Sequence, residues 1–234
     1  MGKMLSKQSR GMILEKHLTT DNQIMLLQIH PQNPEPRKIK MVHEILHDDG
    51  IMIYPTDTVY GLGCSIGSHK AVEKIYQFKK VQPGKNLLLT LICADISQMS
   101  EYVLGFNNQL FRIMKQCLPG PYTFILNAGK NTPKILLNKR KQIGIRIPDN
   151  EICRQIILEH GQPILSTSLH NTDVVLEYYT DPEEIYNLYE HQVDLMIDGG
   201  TGGNVASTIL DCTNNKIELV RKGLGEIDFL ELND

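Results

Sequence analysis

The sequence predicts a single α/β domain in which helices flank a twisted sheet of mixed parallel and antiparallel strands. Short apolar runs that are typical of buried strands alternate with segments whose apolar residues recur at helical spacing. The predicted strands outnumber the helices, and several later strands follow one another directly, which a strict βαβ repeat would not allow. A chain of 234 residues is long enough to bury one sizeable core.

Local signals place the individual elements. A proline-rich lead-in, Pro31–Pro36, precedes an amphipathic helix that Gly50 ends. A short buried strand, Ile51–Tyr54, comes next, and Ser68 has the side chain of an N-cap for a helix over 68–78. Further strands are expected at 87–92, 122–126, 143–147, 163–166, 193–197, 207–211 and 217–220, and further helices at 107–117, 150–160 and 182–191.

The composition limits the classes of partner. A formal net charge of −3 argues against a strongly cationic nucleic-acid coat. No run approaches the roughly 18 apolar residues of a membrane span. Residues 1–24 are polar and lack the apolar core of a secretory signal, so we expect a cytoplasmic protein with an N-terminal extension outside a domain that spans 25–234. The five cysteines are scattered and form no CxxC pair, which predicts reduced, mostly buried thiols.

The most informative segment is Tyr54-Pro-Thr-Asp-Thr-Val-Tyr-Gly-Leu-Gly63. It follows a predicted strand and is interpreted as a glycine-rich approach to a helix, where short hydroxyl side chains and glycines let an anionic ligand reach the backbone. The alternative is a strand-to-helix turn that merely needs glycine. The spacing of Gly61, Gly63 and Gly67 does not fit a dinucleotide-binding fingerprint, and the chain has no P-loop.

This segment resembles the opening signature of the YrdC/YciO family, whose best-known members are threonylcarbamoyl-adenylate synthases. Further blocks resemble the family's motifs in the same order, so that the resemblance covers roughly residues 27 to 228. These blocks are Lys80-Val-Gln-Pro83 with Asn86 after it, Pro119-Gly-Pro-Tyr-Thr123, Ile145-Arg-Ile-Pro148, Ser166-Thr-Ser168, Ala206-Ser-Thr-Ile-Leu-Asp211 and Val220-Arg-Lys-Gly223.

The resemblance implies a YrdC-like fold and a nucleotidyltransferase that joins threonine, bicarbonate or CO₂, and ATP with Mg²⁺ for a tRNA modification. Such a reaction depends on positioning and on cations that offset charge in an in-line displacement. Magnesium would bridge the ATP phosphates and need no protein cage. By resemblance, Lys80 and Arg146 are the expected catalytic residues. The expected substrate and nucleotide contacts are Thr58, Lys80, Asn86, Thr123, Arg146, Ser166, Ser168, Ser207 and Arg221.

Two departures from the family pattern keep a second function open. The family's Arg in Lys-x-Arg-Pro is replaced by Gln82, and the Ala-Asn after Ser-x-Ser is replaced by Leu169-His170. Both changes are similar to the YciO branch. They leave open a nucleotide- or double-stranded-RNA-binding protein with weak or no synthase activity. tRNA and other tRNA threonylcarbamoylation proteins are further expected partners of the family reaction.

A zinc-peptidase motif is a remote alternative. His43-Glu44-Ile-Leu-His47 spells HExxH, in which two histidines one turn apart hold zinc and the glutamate acts as general base. The predicted helix ends directly after this motif, and no third ligand follows on a second helix. We therefore expect no metal site there and place His43 at the edge of the buried face or in solvent. The glycine-rich loop Gly199–Gly203 is interpreted as a turn between two strands rather than a nucleotide cover.

Overall fold

The computed structural model describes residues 24–82, 89–136, 141–169, 178–214 and 216–229. These residues form one ten-stranded sheet with the order β1-β8-β2-β3-β7-β4-β6-β5-β9-β10. The strands are β1 Met25–Gln28, β2 Ile51–Tyr54, β3 Gly61–Ser65, β4 Thr90–Ile92, β5 Tyr122–Asn127, β6 Gln142–Arg146, β7 Ile164–Ser168, β8 Leu195–Asp198, β9 Thr208–Asp211 and β10 Glu218–Arg221. The α-helices are α1 Pro36–His47, α2 His69–Phe78, α3 Ile96–Ser100, α4 Asn108–Cys117, α5 Glu151–His160 and α6 Pro182–Tyr189, and Lys134–Leu136 form a short 3-10 helix.

The sheet is mixed, as the sequence predicts. β1 and β2 both pair parallel with β8, β4 pairs parallel with β6, and β5 pairs parallel with β9. The pairs β2–β3, β3–β7, β4–β7, β5–β6 and β9–β10 are antiparallel.

Helices cover the two faces of the sheet unequally. The larger core packs α2, α3, α4 and α6 against one face, where Leu62, Leu91 and Phe124 are fully buried. The smaller core packs α1 and α5 against Met52 of β2 and Ile164 of β7 on the other face. Within the described residues, this smaller core includes side chains of β1, β2, β4, β7 and β8 but none of β5, β6 or β9.

Helix starts agree with the sequence because capping is local. The Ser68 hydroxyl accepts a hydrogen bond from the Ala71 N–H, and Asn107 and Asn150 cap α4 and α5 in the same way. All five cysteines are buried and unpaired, as predicted. None of the helices in the described ranges is long and apolar enough to cross a membrane.

One part of the sequence-based prediction is wrong. Gly61–Ser65 is not a glycine-rich approach to a helix but the fully buried strand β3, held between β2 and β7. The glycines are needed by packing rather than by an anion, because a Cβ at Gly63 would lie 2.8 Å from Cε1 of the Tyr54 ring. Strand β1 and helix α3 were also not predicted, and the strand expected at 87–92 is described only from Thr90.

Candidate active site

A row of hydroxyl side chains crosses the second face of the sheet beside the smaller core. In the sheet register, Thr90 of β4 pairs with both Ser166 of β7 and Gly144 of β6, and Thr123 of β5 pairs with Arg146 of β6. Directly paired residues present their side chains on the same face of a sheet. We call Ser166, Ser168, Thr90, Thr123 and Ser207 the hydroxyl strip.

At one end of the strip, Tyr54 fixes Ser166. The Tyr54 hydroxyl donates a 2.7 Å hydrogen bond to Oγ of Ser166, and both side chains are buried. Burial raises the pKa of Tyr54 well above its usual range, so the phenol stays protonated and acts as the donor. Since Ser166 Oγ accepts this bond, its own hydroxyl proton is directed to a different acceptor.

At the other end, three polar groups from separate parts of the chain meet. Thr123 Oγ1 and Ser207 Oγ lie 2.8 Å apart and are buried. Nη2 and Nε of Arg221 donate to the carbonyl oxygen of Ser207 at 2.8 and 3.3 Å. These acceptors are neutral, and within the described residues the Arg221 guanidinium forms no ion pair, so it keeps its full positive charge beside the strip.

Between the two ends, Arg146 is paired with Asp57 of the loop after β2. Nη2 of Arg146 donates to Oδ1 of Asp57 at 2.5 Å, and the two side chains are only 9% and 11% exposed. The other carboxylate oxygen, Oδ2, and the Arg146 Nε are buried without a hydrogen-bond partner in the described part of the chain. Each unsatisfied buried polar group costs about 1–3 kcal/mol, and more where it is charged.

The glycine-rich segment 199–203 packs against the loop that carries Asp57. The Tyr60 hydroxyl donates to the carbonyl oxygen of Gly200 at 2.7 Å, and a Cβ at Gly203 would overlap the carbonyl oxygen of Thr58. The segment leaves β8 near one edge of the sheet and leads to β9 near the other. It is therefore a crossing segment in contact with the candidate site, and the interpretation as a simple turn between neighbouring strands is wrong.

Residues 44–223 match the protein family Sua5_yciO_yrdC, which is described as Telomere recombination. The chain belongs to the Sua5/YciO/YrdC family.

Three relatives illustrate the match. Escherichia coli YciO is 42% identical over 200 residues, which are 85% of this chain and 95% of YciO, and its crystal structure superposes with a TM-score of 0.81 over 88% of this chain and 98% of that one. The threonylcarbamoyl-AMP synthase of Psychromonas ingrahamii is 32% identical over 165 residues, 68% of this chain and 84% of the synthase. The crystal structure of P. abyssi Sua5 complexed with L-threonine shares the fold, with a TM-score of 0.76 and 23% identity over 85% of this chain, but the match spans 57% of Sua5.

Most of the residues expected from the family motifs lie along or beside the hydroxyl strip. Thr123, Ser207 and Arg221 are in mutual contact, Arg146 is the register partner of Thr123, and Ser166 lies two strands from Arg146. Ser168 pairs with Gly61 on the same strip. Thr58 is fully buried in the loop after β2, where its N–H donates to Thr56 Oγ1 at 3.1 Å.

Lys80 lies just after helix α2 and not on one of the strands that carry the strip. It is exposed just beyond α2 with a φ of 53°, and in the described residues its ammonium forms no hydrogen bond or ion pair with the strip. Its neighbour Lys79 is buried, and desolvation lowers the pKa of that ammonium to about 8. Gln82 is exposed, whereas Asn86 and His170 lie outside the described residues.

Sequence reasoning missed three residues of the site. Tyr54 was assigned only to a strand, Thr90 only to another strand, and Asp57 only to a motif. The signal for Asp57 was present, because a carboxylate in the middle of a motif that precedes a buried strand requires a partner.

The HExxH segment forms a contact between two helices instead of a described metal site. Nδ1 of His43 lies 3.2 Å from Nδ1 of His160 in α5, and the His160 Nε2 lies 2.9 Å from Oγ of Ser65. His43 is thus half-buried at the edge of the buried face of α1, which agrees with the first of the two predicted positions, while Glu44 and His47 are exposed. Across the described ranges, no group of three or more His, Cys, Asp or Glu side chains is arranged to hold a metal ion.

This histidine contact predicts a loss of stability in acid. Burial first, and then the nearby His43 and His47, lower the pKa of His160 from its ordinary value of about 6.5. Below pH 6.5 the imidazole of His160 takes up a proton more readily in the unfolded chain than in the folded chain. The contribution of neutral His160 to the free energy of unfolding is therefore complete above pH 6.5, and it is lost as the pH falls through the lower pKa of the folded state. The melting temperature should fall between pH 7.5 and 5.5.

The comparison variant is His160→Gln, with exposed His191→Gln as the control. His160→Gln should be less stable at pH 7.5 but should show a smaller drop toward pH 5.5, whereas the control should follow the wild type. If the melting temperature of His160→Gln falls between pH 7.5 and 5.5 by as much as that of the wild type, groups other than His160 cause the acid sensitivity.

Proposed function

We propose that the protein is an L-threonylcarbamoyladenylate synthase, which forms threonylcarbamoyl-AMP from threonine, bicarbonate or CO₂, and ATP for tRNA N6-threonylcarbamoyladenosine modification. The observation that carries the proposal is the strip itself, in which Thr123, Ser207 and the charged Arg221 stand at one end of a row of hydroxyl side chains on one sheet face. The 32% identity to a threonylcarbamoyl-AMP synthase and the shared fold with a threonine-bound Sua5 support it.

The chemistry suits hydroxyls and cations. The threonine amine takes up CO₂ and loses a proton to give a carbamate, whose oxygen then forms a bond to the α-phosphorus of ATP while the bond to pyrophosphate breaks. Little covalent work falls to the protein, so donors that hold phosphate oxygens in place supply the catalysis. Arg221 and the Thr123–Ser207 pair supply such donors, and magnesium would arrive with the nucleotide and stay on the phosphates.

Arg221 should be required for nucleotide binding. A ligand that binds only the folded protein raises its melting temperature, so ATP should stabilise the wild type. Arg221→Ala removes a bidentate donor to phosphate and should weaken ATP binding by roughly tenfold or more. ATP should therefore raise the melting temperature of this variant less than that of the wild type. The matched control is Lys222→Ala, which removes an exposed positive charge from the next position. If ATP raises the melting temperature of the two variants equally, Arg221 does not bind the nucleotide.

The direct test is product formation. Pure protein is incubated with ATP, threonine, bicarbonate and magnesium, and threonylcarbamoyl-AMP is sought by mass spectrometry. Omission of threonine or of bicarbonate, and the Arg221→Ala variant, are the controls. The proposal predicts product only in the complete mixture, and absence of product with a protein that still binds ATP would overturn it.

A second candidate function is favoured by the motif departures. Gln82 carries no charge where the family motif has arginine, and Leu169-His170 replaces the motif's Ala-Asn, so a nucleotide- or double-stranded-RNA-binding protein with weak or no synthase activity is the alternative.

Gln82→Arg separates these two functions. A charge-assisted hydrogen bond is about twice as strong as a neutral one, so the missing charge costs on the order of 1–2 kcal/mol in the transition state. Each 1.36 kcal/mol of activation free energy changes the rate about tenfold. Gln82→Arg should therefore raise the rate of threonine-dependent pyrophosphate release by roughly tenfold, mainly through a higher kcat. If neither protein exceeds the background without threonine, the binding function replaces the synthase.

A further inference from the structure

A cleft of about 290 Å³ lies beside α4, against the larger core and on the other face of the sheet from the hydroxyl strip. One wall is a face of α4, on which Gln109, Arg112, Ile113 and Gln116 recur at helical spacing. Outside α4 and its N-cap, the lining comes from the connection between β9 and β10 and from Phe229. The cleft therefore shares no lining residue with the hydroxyl strip, and its volume is near the lower end of the range for small-molecule sites.

Two cations and, among the described residues, no carboxylate line the cleft. Arg112 of α4 and Lys216 before β10 are exposed, and neither forms an ion pair in the described part of the chain. Two positive charges beside one cleft repel each other, and a bound anion offsets this repulsion. Oδ1 of Asn107 caps α4, which leaves the Nδ2 amide group of that lining residue as a further donor. The polar part of the lining is thus complementary to an anion.

Apolar groups line the same cleft. Leu110 and Cys212 are buried, Ile113 and Ile217 are half-buried, and the ring of Phe229 is 48% exposed. A ligand that covers this ring and the two isoleucines removes apolar surface from water, which favours binding. An inorganic anion offers nothing to that surface, whereas an organic anion with an apolar body contacts the cations and the apolar groups together.

We propose that this cleft binds a small organic anion, with its charged group held by Arg112 and Lys216 and its apolar body against Phe229. Carboxylic acids and phosphate monoesters share this chemistry, and competition between them separates the two classes. Because Arg112 belongs to α4 and Lys216 to the connection before β10, the bound anion joins these two parts of the fold. The site does not depend on the proposed synthase function, since no residue of the hydroxyl strip lines it.

The test titrates the protein with the fluorescent probe 8-anilinonaphthalene-1-sulfonate and with N-phenyl-1-naphthylamine, which has the same rings but no sulfonate. Arg112→Gln and Lys216→Gln should each weaken binding of the sulfonate probe about tenfold and leave the affinity for the neutral compound unchanged. Lys115→Gln is the matched control, because Lys115 belongs to the same helix but lies over the Phe111 ring and does not line the cleft. Phenylacetate and phenyl phosphate should displace the probe, and the stronger competitor identifies the class of anion.

Several outcomes would overturn the inference. The first is a wild type that does not bind the sulfonate probe, and the second is equal affinity for that probe in the wild type and in the double variant Arg112→Gln/Lys216→Gln. An equal loss of affinity for the neutral compound would show a general change in the cleft rather than a loss of charge. Displacement of the probe by ATP that disappears in Arg221→Ala would place the probe on the hydroxyl strip. Probe binding that is gained only in Leu230→Ser/Leu232→Ser would assign the cleft to the chain's own C-terminal segment.

Discussion

Replacing Arg146 by alanine should lower the free energy of unfolding by about 3–5 kcal/mol. The substitution leaves the Asp57 carboxylate largely buried without its counter-charge, and breaking a buried pair from one side carries a penalty of this size. Urea titrations at pH 7.5 measure the difference. The double variant Asp57→Asn/Arg146→Met should recover a large part of the loss, because it removes both charges together.

An exposed ion pair supplies the control. Arg154 and Glu151 form a bridge on the surface of α5, with side chains 49% and 31% exposed, so Arg154→Ala should cost no more than about 1 kcal/mol. A loss for Arg146→Ala as small as that of Arg154→Ala would show that the Asp57 carboxylate is not desolvated. A double variant as unstable as Arg146→Ala alone would assign the loss to packing rather than to charge.

Gly203→Ala should damage stability and the site together. The added methyl would overlap the carbonyl oxygen of Thr58, a backbone atom that can move only if the loop carrying Asp57 moves with it. Overpacking of this kind costs about 1–3 kcal/mol or more, and the displaced loop should also weaken threonine binding. The measurements are the urea midpoint and calorimetry with threonine.

Gly105→Ala is the matched control for this substitution, because a Cβ there would meet nothing within 4 Å. Gly105→Ala should change neither the urea midpoint nor the affinity for threonine appreciably. If Gly203→Ala behaves like Gly105→Ala, segment 199–203 does not constrain the loop after β2.

The sequence predicted the features of the fold that depend on neighbours in the chain. Helices α2, α4 and α5 begin where Ser68, Asn107 and Asn150 cap them, since an N-cap acts within three residues. β3 was missed because glycine is generally depleted in strands. Glycine is needed at position 63 because the ring of Tyr54, on the neighbouring strand, lies where a Cβ would be. No local pattern reports such a contact.

The candidate site was predicted as a set of residues but not as an arrangement. Motif resemblance named Thr123, Ser207 and Arg146, yet Thr123 and Ser207 are 84 positions apart and meet only because β5 and β9 pair in one particular register. The separate β5–β6 register places Arg146 beside Thr123, and the loop after β2 brings Asp57 onto Arg146. Charge compensation of Arg146 by Asp57 is therefore a property of the folded chain, which the sequence alone could not show.

The most direct test of the account is a crystal structure of the wild type with a non-hydrolysable ATP analogue, magnesium and L-threonine. Density for both ligands is expected across the hydroxyl strip. Phosphate oxygens should lie within hydrogen-bond distance of Arg221, Thr123 or Ser207, and the threonine should lie beside them on the strip. Ligands bound elsewhere, for example in the cleft that Leu110, Arg112 and Phe229 line beside α4, with the strip left unoccupied, would contradict it.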